Sequence, residues 1–551
     1  MVRLCPAGGR LTQTPPKEAA LLHEKRTEAA RLHAKGDIAA ASVLYRDVLK
    51  IAPQDPDALH MMGIIAQQGG NQELAVKFFE MALAVNPDFA GAWYNRALVL
   101  RVMKRGKDAL QSVQAAIEID PTLGEAWNLM ALLLKDDGAH YDQARECHIR
   151  AIALQPKNPQ FHDNYAALLL AMEDREGAYL AARKAQEISP SYRSMSMGTV
   201  LHVMGYPALA AEYLAYPNTL FLNDADMAVT EAMTRLQIGD FDRGWALWEQ
   251  RTCFPNSLGH IPFWQGEKVT CLYLYEDQGM GDAIQFLRYI SLLKTRAESL
   301  VLCLRAPLKT LGAESFPGVK IIVEGAPVPD APPSSACYRL TSLPTLFKTR
   351  LDNIPPAPYL TASESRRAFW RDKLRDLPTP RIGLVWAGGA HFRNDAGRSV
   401  TFSTVQPVTS CGAQHFVSLQ KERAEDRGAD IFDATPHLHD FADTAALIAE
   451  LDLVITVDTS VAHLAGALGK PVWILLAFNS DWRWFLGRED SPWYPTARLF
   501  RQKKPGDWAE VIDRVKGEVQ KLIAGDLSVL QPPPWDGQTL RQNPYALPLP
   551  L

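Results

Sequence analysis

The sequence lacks several features that would each indicate a special class of protein. Its seven cysteines are scattered and form no Cys-x-x-Cys pair, so neither a zinc site nor a disulfide framework is predicted. No stretch reaches the roughly 18 uninterrupted apolar residues that a membrane span needs, and residues 1–16 contain no apolar core of signal-peptide length. We therefore expect a cytoplasmic protein with reduced thiols and no membrane span.

The chain also lacks a strong charge of either sign. Its formal net charge is −4, and no basic block stands out along its 551 residues. This argues against nucleic acid as a partner. With 47% hydrophobic and 22% charged residues, the composition is that of an ordinary core-forming protein, long enough for about three or four domains.

The N-terminal half is built from a repeated unit. Pro53, Pro87 and Pro121 follow one another at intervals of 34 residues, and Pro156 and Pro190 continue the series after a one-residue slip. Alanines recur at fixed offsets before these prolines, twelve and five residues ahead. This period is the signature of tetratricopeptide repeats, which place two helices in each unit and stack into a solenoid with a concave face. We count five clear repeats between residues 22 and 190 and a degenerate sixth.

Asparagines near one position of successive repeats suggest a use for the concave face. Asn95 and Asn164 share an offset within their repeats, and Asn128 is displaced by one residue. Their side chains could hydrogen-bond the backbone of an extended polypeptide without reading its sequence. They could equally be ordinary solvated polar residues, and the sequence leaves both interpretations open.

The C-terminal half changes to an α/β texture. Seven strand-like runs alternate with helical ones, at residues 270–275, 300–304, 319–323, 381–386, 415–419, 451–457 and 472–476. Such alternation indicates parallel sheets covered by helices. Proline-rich segments near residues 353–358 and 378–380 divide this half into two lobes, each of the size of a nucleotide-binding domain.

The most informative segment begins at Asp458. It reads Asp-Thr-Ser-Val-Ala-His and joins a buried strand to a helix whose cap we expect to be Thr459 or Ser460. Free N–H groups at such a helix start can hold a phosphate. With Ser460 as the cap, His463 falls beside those groups. Generic α/β packing explains the strand and the helix but not this combination of polar residues.

A second strand-to-helix turn lies in the first lobe. Gly279 and Gly281 permit a tight turn, and Asp282 lands at the start of the following helix. A carboxylate there is stabilised by the helix dipole, and a simple cap is one reading. In the functional reading, Asp282 takes a proton from an acceptor hydroxyl as a general base.

Further polar residues follow two strands of the second lobe. Glycines there let a backbone approach a ligand, and arginine suits phosphate oxygens. Because ligands of open α/β sheets bind at the carboxyl ends of the strands, we predict ligand-binding roles for residues on these loops. They are Gly388, His391, Asn394, Arg398, Ser399, Gln420 and Lys421, together with Gly279, Gly281, Asp458, Thr459, Ser460 and His463.

These segments, with residues 278–289, 385–388, 418–421 and 440–445, resemble bacterial glycosyltransferases related to the lipopolysaccharide heptosyltransferases. With the repeats, the chain resembles tetratricopeptide-repeat glycosyltransferases that modify flagellin. The resemblance implies an N-terminal tetratricopeptide α-solenoid followed by a two-lobed glycosyltransferase-B (double Rossmann-like) domain. It implies boundaries at 18–222 for the repeats, 223–262 for a helical cap, 263–375 and 376–528 for the acceptor-side and donor-side lobes, and 529–551 for a proline-rich tail.

The same resemblance implies the chemistry. Asp282 matches the family's catalytic base, and Asp458, Thr459, Ser460 and His463 match its donor-phosphate segment. Relatives that modify flagellin use nonulosonic sugars carried on CMP. Heptosyltransferases commonly have glycine where this chain has Ser460. This difference weakens the inference that the sugar donor of this protein carries a heptose.

We expect no cofactor and no metal, only a nucleotide-sugar co-substrate. Asp224-Ala-Asp226 has the Asp-x-Asp form of a metal-binding element, but it precedes a helix of the repeat half. It does not follow an α/β strand, so a helix-start cap is its expected role.

Three functions are compatible with this sequence. The first is a protein O-glycosyltransferase, inverting at the anomeric carbon, whose repeats recruit a polypeptide such as flagellin. The second is a transferase for a lipid-linked or polysaccharide acceptor. The third is a non-catalytic repeat scaffold. The oligomeric state stays open, since such arrays can dimerise.

Overall fold

A computed structural model describes residues 16–192, 194–215, 225–251, 258–326, 331–389, 395–421, 431–535, 537 and 541–550. The described chain divides into two compact units, which meet in sequence between Met197 and Gly198.

The first unit is a helical repeat array. Its helices are α1 (Pro16–Ala34), α2 (Ile38–Ile51), α3 (Pro56–Gln68), α4 (Gln72–Val85), α5 (Ala90–Val102), α6 (Gly106–Ile119), α7 (Gly124–Asp137), α8 (Tyr141–Leu154), α9 (Pro159–Ala171) and α10 (Arg175–Ile188), and α11 (Met195–Val203) crosses the boundary. Helices α1 to α10 pack as five consecutive pairs, and each pair also packs against the next. The predicted repeats are confirmed.

The sequence signals of the repeats have clear structural roles. Each series proline stands two residues beyond the end of the second helix of its pair, where it prevents the helix from continuing. The alanines twelve residues ahead, such as Ala75 and Ala109, are fully buried. They lie where paired helices approach closely, so larger side chains would force the pairs apart.

The second unit begins with helices rather than with a sheet. Helices α12 (Pro207–Leu214), α13 (Ala225–Gln237) and α14 (Phe241–Trp248) belong to it. The predicted repeat region ends at residue 222, whereas the second compact unit begins at Gly198. Trp245 and Trp248 of α14, inside the predicted helical cap at 223–262, donate indole hydrogen bonds to the carbonyls of Thr349 and Thr341, at 2.9 and 3.1 Å.

The first lobe is a four-stranded parallel sheet with strand order β3-β2-β1-β4. Its elements are β1 (Val269–Tyr275), α15 (Met280–Phe286), α16 (Ile290–Leu293), β2 (Ala297–Leu304), α17 (Lys309–Ser315), β3 (Lys320–Val323), β4 (Ser335–Arg339), α18 (Leu343–Leu346) and α19 (Glu364–Lys373). Although α19 follows this lobe in sequence, it packs against the second lobe, where the Trp370 indole donates to the carbonyl of Asp443 at 3.1 Å.

The second lobe is a six-stranded parallel sheet with strand order β10-β9-β8-β5-β6-β7. Its elements are β5 (Ile382–Val385), α20 (Asp395–Arg398), α21 (Phe402–Thr409), β6 (Phe416–Ser418), β7 (Phe432–Asp433), α22 (Phe441–Ala449), β8 (Leu453–Val457), α23 (Ser460–Ala467), β9 (Val472–Leu476), β10 (Ala497–Arg501) and α24 (Trp508–Ile523). Two covered parallel sheets confirm the predicted pair of Rossmann-like lobes.

The C-terminal tail is irregular where it is described. It is nevertheless fixed to the start of the second unit. The backbone N–H groups of Asn543 and Leu547 donate to the carbonyls of Gly205 and Met204, both at 2.9 Å. These bonds satisfy backbone groups that would otherwise need water.

Candidate active site

The two strand-to-helix turns singled out from the sequence meet at one place. Helix α15 follows β1 in the first lobe, and α23 follows β8 in the second. The two helices pack against each other, and a Cβ atom on Gly281 would lie 2.9 Å from Cδ2 of His463 and 3.5 Å from Cα of Ser460. A glycine is therefore needed for the helix starts to come together, and Asp282 and His463 share one junction between the lobes.

Asp282 is held by contacts from both lobes. Its Oδ2 accepts the backbone N–H of Gly279, the residue that caps α15, at 3.0 Å. Its Oδ1 accepts a hydrogen bond from the guanidinium of Arg483 in the second lobe. The side chain is 22% exposed. Burial raises the pKa of Asp282 above its ordinary value, and the charge of Arg483 opposes that rise.

The cap and the base are compatible roles for this carboxylate. One oxygen accepts a hydrogen bond at the helix start, which is the capping role that the sequence also allowed. The other oxygen carries the Arg483 contact, on the side where the lobes meet. A raised pKa also moves a carboxylate towards the range in which general bases work at neutral pH.

His463 lies at the centre of the junction. Its Nδ1 is 2.9 Å from the hydroxyl of Tyr494, and its ring stacks on Trp484 with centroids 5.4 Å apart. Burial lowers the pKa of His463 well below its ordinary value, and the charges of Arg483, Arg288 and Arg398 lower it further. The imidazole is therefore neutral at pH 7, and guanidinium groups from both lobes generate a positive field around it.

Arg288 contributes to that field, and its hydrogen bonds go to carbonyl and hydroxyl oxygens. It is 1% exposed and donates to backbone carbonyls of Gln285, Pro355 and Trp493 and to the Tyr359 hydroxyl. The rings of Tyr359, Trp493 and Tyr494 surround its guanidinium at 4.9 to 5.2 Å. Cation–π contacts and carbonyl dipoles thus stabilise a buried positive charge near His463.

The start of α23 settles which residue is the cap. Thr459 is the N-cap, and its hydroxyl accepts the N–H of Val461 at 3.3 Å. Ser460 is the first helical residue, so His463 lies one position further into the helix than a Ser460 cap would give. Burial raises the pKa of Asp458 to about 6, helped by the negative charge of Asp481.

The loop after β5 forms a cluster of its own. The Gly388 N–H donates to Ser399 Oγ at 2.9 Å, and Ser399 in turn donates to Asp395 at 2.6 Å. A Cβ on Gly388 would lie 2.7 Å from the Arg398 guanidinium. Arg398 thus lies directly on this loop and also acts on Asp458 and His463 through its charge.

The structure gives Gln420 a structural task in the same cluster. Its side-chain oxygen accepts the N–H groups of Trp386 and Ala387, at 3.0 and 2.9 Å, and its amide donates to the carbonyl of Ala387 at 3.0 Å. Both ends of the amide therefore fix the loop backbone, and the binding role predicted for Gln420 stays a prediction. Lys421 is exposed. His391 and Asn394 lie outside the described residues.

The three asparagines of the predicted groove make two side-chain contacts within the repeat array. Asn95 lies 2.8 Å from the ring of His60, and Asn164 donates to Asn128 at 3.1 Å. Each contact links neighbouring repeats. Asn128 is 8% exposed, so it offers less surface to a polypeptide than the predicted groove requires, whereas Asn95 and Asn164 are partly exposed.

Sequence reasoning missed Arg483, Tyr494 and Asp481. A signal existed for the first: Asp481-Trp-Arg-Trp484 follows β9, and the loops that follow parallel strands collect at the ligand edge of a sheet. Within the described part of the chain, no group of three His, Cys, Asp or Glu side chains is arranged to hold a metal ion. No described helix is both long and apolar enough to cross a bilayer.

Comparison with known proteins agrees with this architecture. The profile of glycosyltransferase family 9 (heptosyltransferase) matches residues 424–490, and a tetratricopeptide-repeat profile matches residues 56–89. Protein FlbA of Caulobacter vibrioides is 25% identical over 530 residues, which cover 89% of this chain and 82% of that protein. Human tetratricopeptide repeat protein 7B is 27% identical over 22% of this chain and 15% of its own length.

Among solved structures, a tetratricopeptide repeat protein from Parabacteroides merdae matches with a TM-score of 0.36 and 16% identity, over 42% of this chain and 92% of that one. The sequence matches show that the chain joins tetratricopeptide repeats to a heptosyltransferase-like glycosyltransferase domain, and that it is a glycosyltransferase.

Proposed function

We propose that this glycosyltransferase acts on protein, transferring a sugar from a nucleotide donor to Ser or Thr residues of a polypeptide that its repeats recruit. Flagellin is the acceptor we favour. A nonulosonic acid carried on CMP is the donor we favour, as the sequence resemblance implies. Transfer inverts the anomeric carbon.

The observation that carries the proposal is the junction of the two lobes. Asp282, a carboxylate of the first lobe, follows Gly281 in the chain, and a Cβ atom on Gly281 would meet the neutral imidazole of His463 and Ser460 at the start of α23 in the second lobe. The positive charges of three guanidinium groups, those of Arg288, Arg398 and Arg483, act on that imidazole. A nucleotide phosphate needs such positive partners when it leaves, while an attacking hydroxyl needs a base.

The proposed step uses these groups in a single displacement. The acceptor oxygen forms a bond to the anomeric carbon as the bond from that carbon to the phosphate oxygen breaks. Asp282 takes the proton of the acceptor hydroxyl. The departing phosphate keeps the electron pair of the broken bond and is stabilised by Arg398 and by the N–H groups at the start of α23.

Recruitment of a polypeptide is supported by the repeat array. Tetratricopeptide solenoids offer extended concave surfaces for partners. Asn95 and Asn164 are partly exposed on the repeats and carry amides that can pair with a peptide backbone.

The test is transfer to purified flagellin, measured by the mass gained per acceptor chain. We expect wild-type protein with CMP-nonulosonate to modify flagellin, and Asp282→Asn to reduce the rate by 10² to 10⁴, the usual contribution of a general base. Circular dichroism and the unfolding temperature of the variant establish that it is folded.

Unchanged transfer by folded Asp282→Asn would remove Asp282 from the mechanism. Turnover of a lipid-linked glycan acceptor without modification of flagellin would contradict the protein acceptor. A lipid-linked glycan is included as the alternative acceptor because the matching family is described as heptosyltransferase.

A further inference from the structure

The segment 480–485, between β9 and β10, is held in a strained conformation. Phe485 has a φ of 49°, a value that is unfavourable for a bulky side chain. Arg501 is 7% exposed and donates to the carbonyls of Trp484 and Phe485, at 3.0 and 2.8 Å. Gln237 of α13 donates to the carbonyl of Ser480 at 3.2 Å. Such over-determined strain is concentrated at functional positions.

The residue that this segment presents is Arg483. It is 6% exposed, and its guanidinium lies over the Trp482 ring at 4.4 Å. Its Nε donates to Gln285 Oε1, one terminal nitrogen donates to Asp282, and the other donates to Asp481 at 2.9 Å. Two of these three partners lie on α15, in the other lobe. Arg483 is therefore a charged link across the lobe junction.

Gln285 supports a functional use of this link. It lies one helical turn after Asp282 and is fully buried, with its oxygen bonded to Arg483. Its Nε2 has no hydrogen-bond partner within the described part of the protein. A buried amide N–H without a partner is unfavourable, so Gln285 Nε2 is a donor available to a ligand next to Asp282.

The charges around Asp282 explain why an arginine is needed there. Asp481 and Asp277 raise the pKa of Asp282 through their negative charge, in addition to burial. Asp277 is already paired with Arg251 at 2.6 Å, and the imidazole across the junction, His463, is neutral. Arg483 is thus the cation whose charge directly opposes protonation of Asp282.

We propose that Arg483 is a positioning residue that keeps Asp282 ionised and aimed at the acceptor hydroxyl, and that it does so across the junction of the two lobes. The inference rests on the proposed role of Asp282 as the base. Arg483 acts through its contacts with Asp282 and Gln285, so it makes base catalysis depend on the lobes being together.

The test is the pH profile of kcat/KM for Arg483→Gln and Arg483→Lys, with flagellin and CMP-nonulosonate. At pH 7 we expect Arg483→Gln to lose at least tenfold in kcat, with a smaller change in KM. Without the guanidinium, protonation of Asp282 becomes easier, so the acidic limb moves to higher pH by about one unit. Activity therefore recovers partly as the pH is raised, and Arg483→Lys lies between wild type and Arg483→Gln.

The matched control is Arg488→Gln. Arg488 lies five residues further along, its side chain is 5% exposed, and it pairs with Asp490 through two bonds of 2.7 and 2.8 Å. We expect it to leave the acidic limb in place. A loss in Arg483→Gln that is equal at every pH, or no loss, overturns the inference while leaving the proposed function intact. An active Asp282→Asn overturns both.

A second measurement does not depend on the donor. Unfolding temperatures of the full chain are compared for wild type, Asp282→Asn, Arg483→Gln and the double variant. We expect the Arg483→Gln change to lower the unfolding temperature less when Asp282 is already replaced. Additive shifts would show that the two side chains do not act on each other and would overturn the inference.

Discussion

Single residues decide whether the two lobes of the second unit can form the site. Gly281 stands where α15 approaches α23, and His463 opposite is fixed by Tyr494 and Trp484. Because both neighbours of the imidazole are themselves buried, the ring has little freedom to move aside. The geometry of the junction therefore depends on the absence of one methyl group.

Gly281→Ala tests that dependence. The added Cβ would lie 2.9 Å from His463 Cδ2, so the imidazole or α15 must shift. Displacements of about 1 Å at a catalytic site can reduce rates by about 10²-fold, and we expect at least a tenfold loss of glycosyl transfer in a folded protein. Gly259→Ala is the control, since nothing lies within 4 Å of its Cβ position. Equal activity of the two variants would contradict this packing argument.

A separate prediction concerns His148 of α8, in the repeat unit, and the pH dependence of stability. It is fully buried, and neither ring nitrogen has a partner among the described residues. Burial, with a smaller effect of Lys135, lowers its pKa to about 3. The folded state therefore binds fewer protons than the unfolded state between pH 6.5 and 3, and stability falls as the pH decreases through that window.

From pH 7 to pH 5, we expect His148 to reduce the free energy of unfolding by about 2 kcal/mol, at about 1.4 kcal/mol for each pH unit below 6.5. Urea unfolding of the full chain at both pH values measures it. His148→Leu should abolish this part of the pH dependence. His162→Leu, whose ring is at the surface and bonds the Pro156 carbonyl, should retain it. An unchanged pH dependence in His148→Leu would contradict the argument.

Sequence reasoning at this scale found the residues whose roles are local. Asp282 was predicted at the start of α15, and Thr459 was one of two possible caps, because helix-start signals lie within a few residues of the helix. Arg483 was missed because its partner Asp282 is 201 residues away in the chain. No local pattern encodes that pairing, which exists only once the lobes have folded.

At the scale of elements, burial explains which strands the sequence predicted. β1 and β8 are almost wholly buried and read as continuous apolar runs. β4, β7 and β10 were not predicted. β7 has only two residues, and β10, an edge strand, reads Ala-Arg-Leu-Phe-Arg. The two arginines of β10 interrupt the apolar pattern by which a strand is recognised. The pairing partners of β4, β7 and β10, not their own composition, make them strands.

The joint between α14 and the α/β lobes gives a prediction at this scale. Trp245 donates to the carbonyl of Thr349 at 2.9 Å and meets Trp482 edge to face, with centroids 5.3 Å apart. Trp245→Phe leaves that buried carbonyl without its donor, so we expect a destabilisation of about 1–3 kcal/mol, measured by urea unfolding.

Trp127→Phe is the matched control. Its indole also bonds a carbonyl, that of Pro121 at 2.9 Å, but at an exposed position of the repeats where water can replace it. We expect a loss below about 1 kcal/mol. Equal losses in the two variants would show that the α14 joint contributes no more than a surface contact.

At the scale of the whole molecule, the chain consists of two compact units. The repeat unit carries its signals in a 34-residue period, so its fold was predictable from the sequence. The second unit was predictable as two lobes preceded by a helical cap at 223–262. Helix α14 of that cap docks on the lobes through contacts with residues more than a hundred positions away, as in Trp245 with Thr349.

If the lobe junction is a nucleotide-sugar site, the protein binds a nucleotide there, so nucleotide binding is the most direct test. The unfolding temperature of the full chain is measured with CMP, UDP, ADP and GDP over a concentration series. We predict that one nucleotide raises it in a saturable manner, with a stabilisation of about 2.7 kcal/mol at 100 times its dissociation constant, and that Asp458→Asn alters this shift. No stabilisation by any of the four at millimolar concentration would contradict the account.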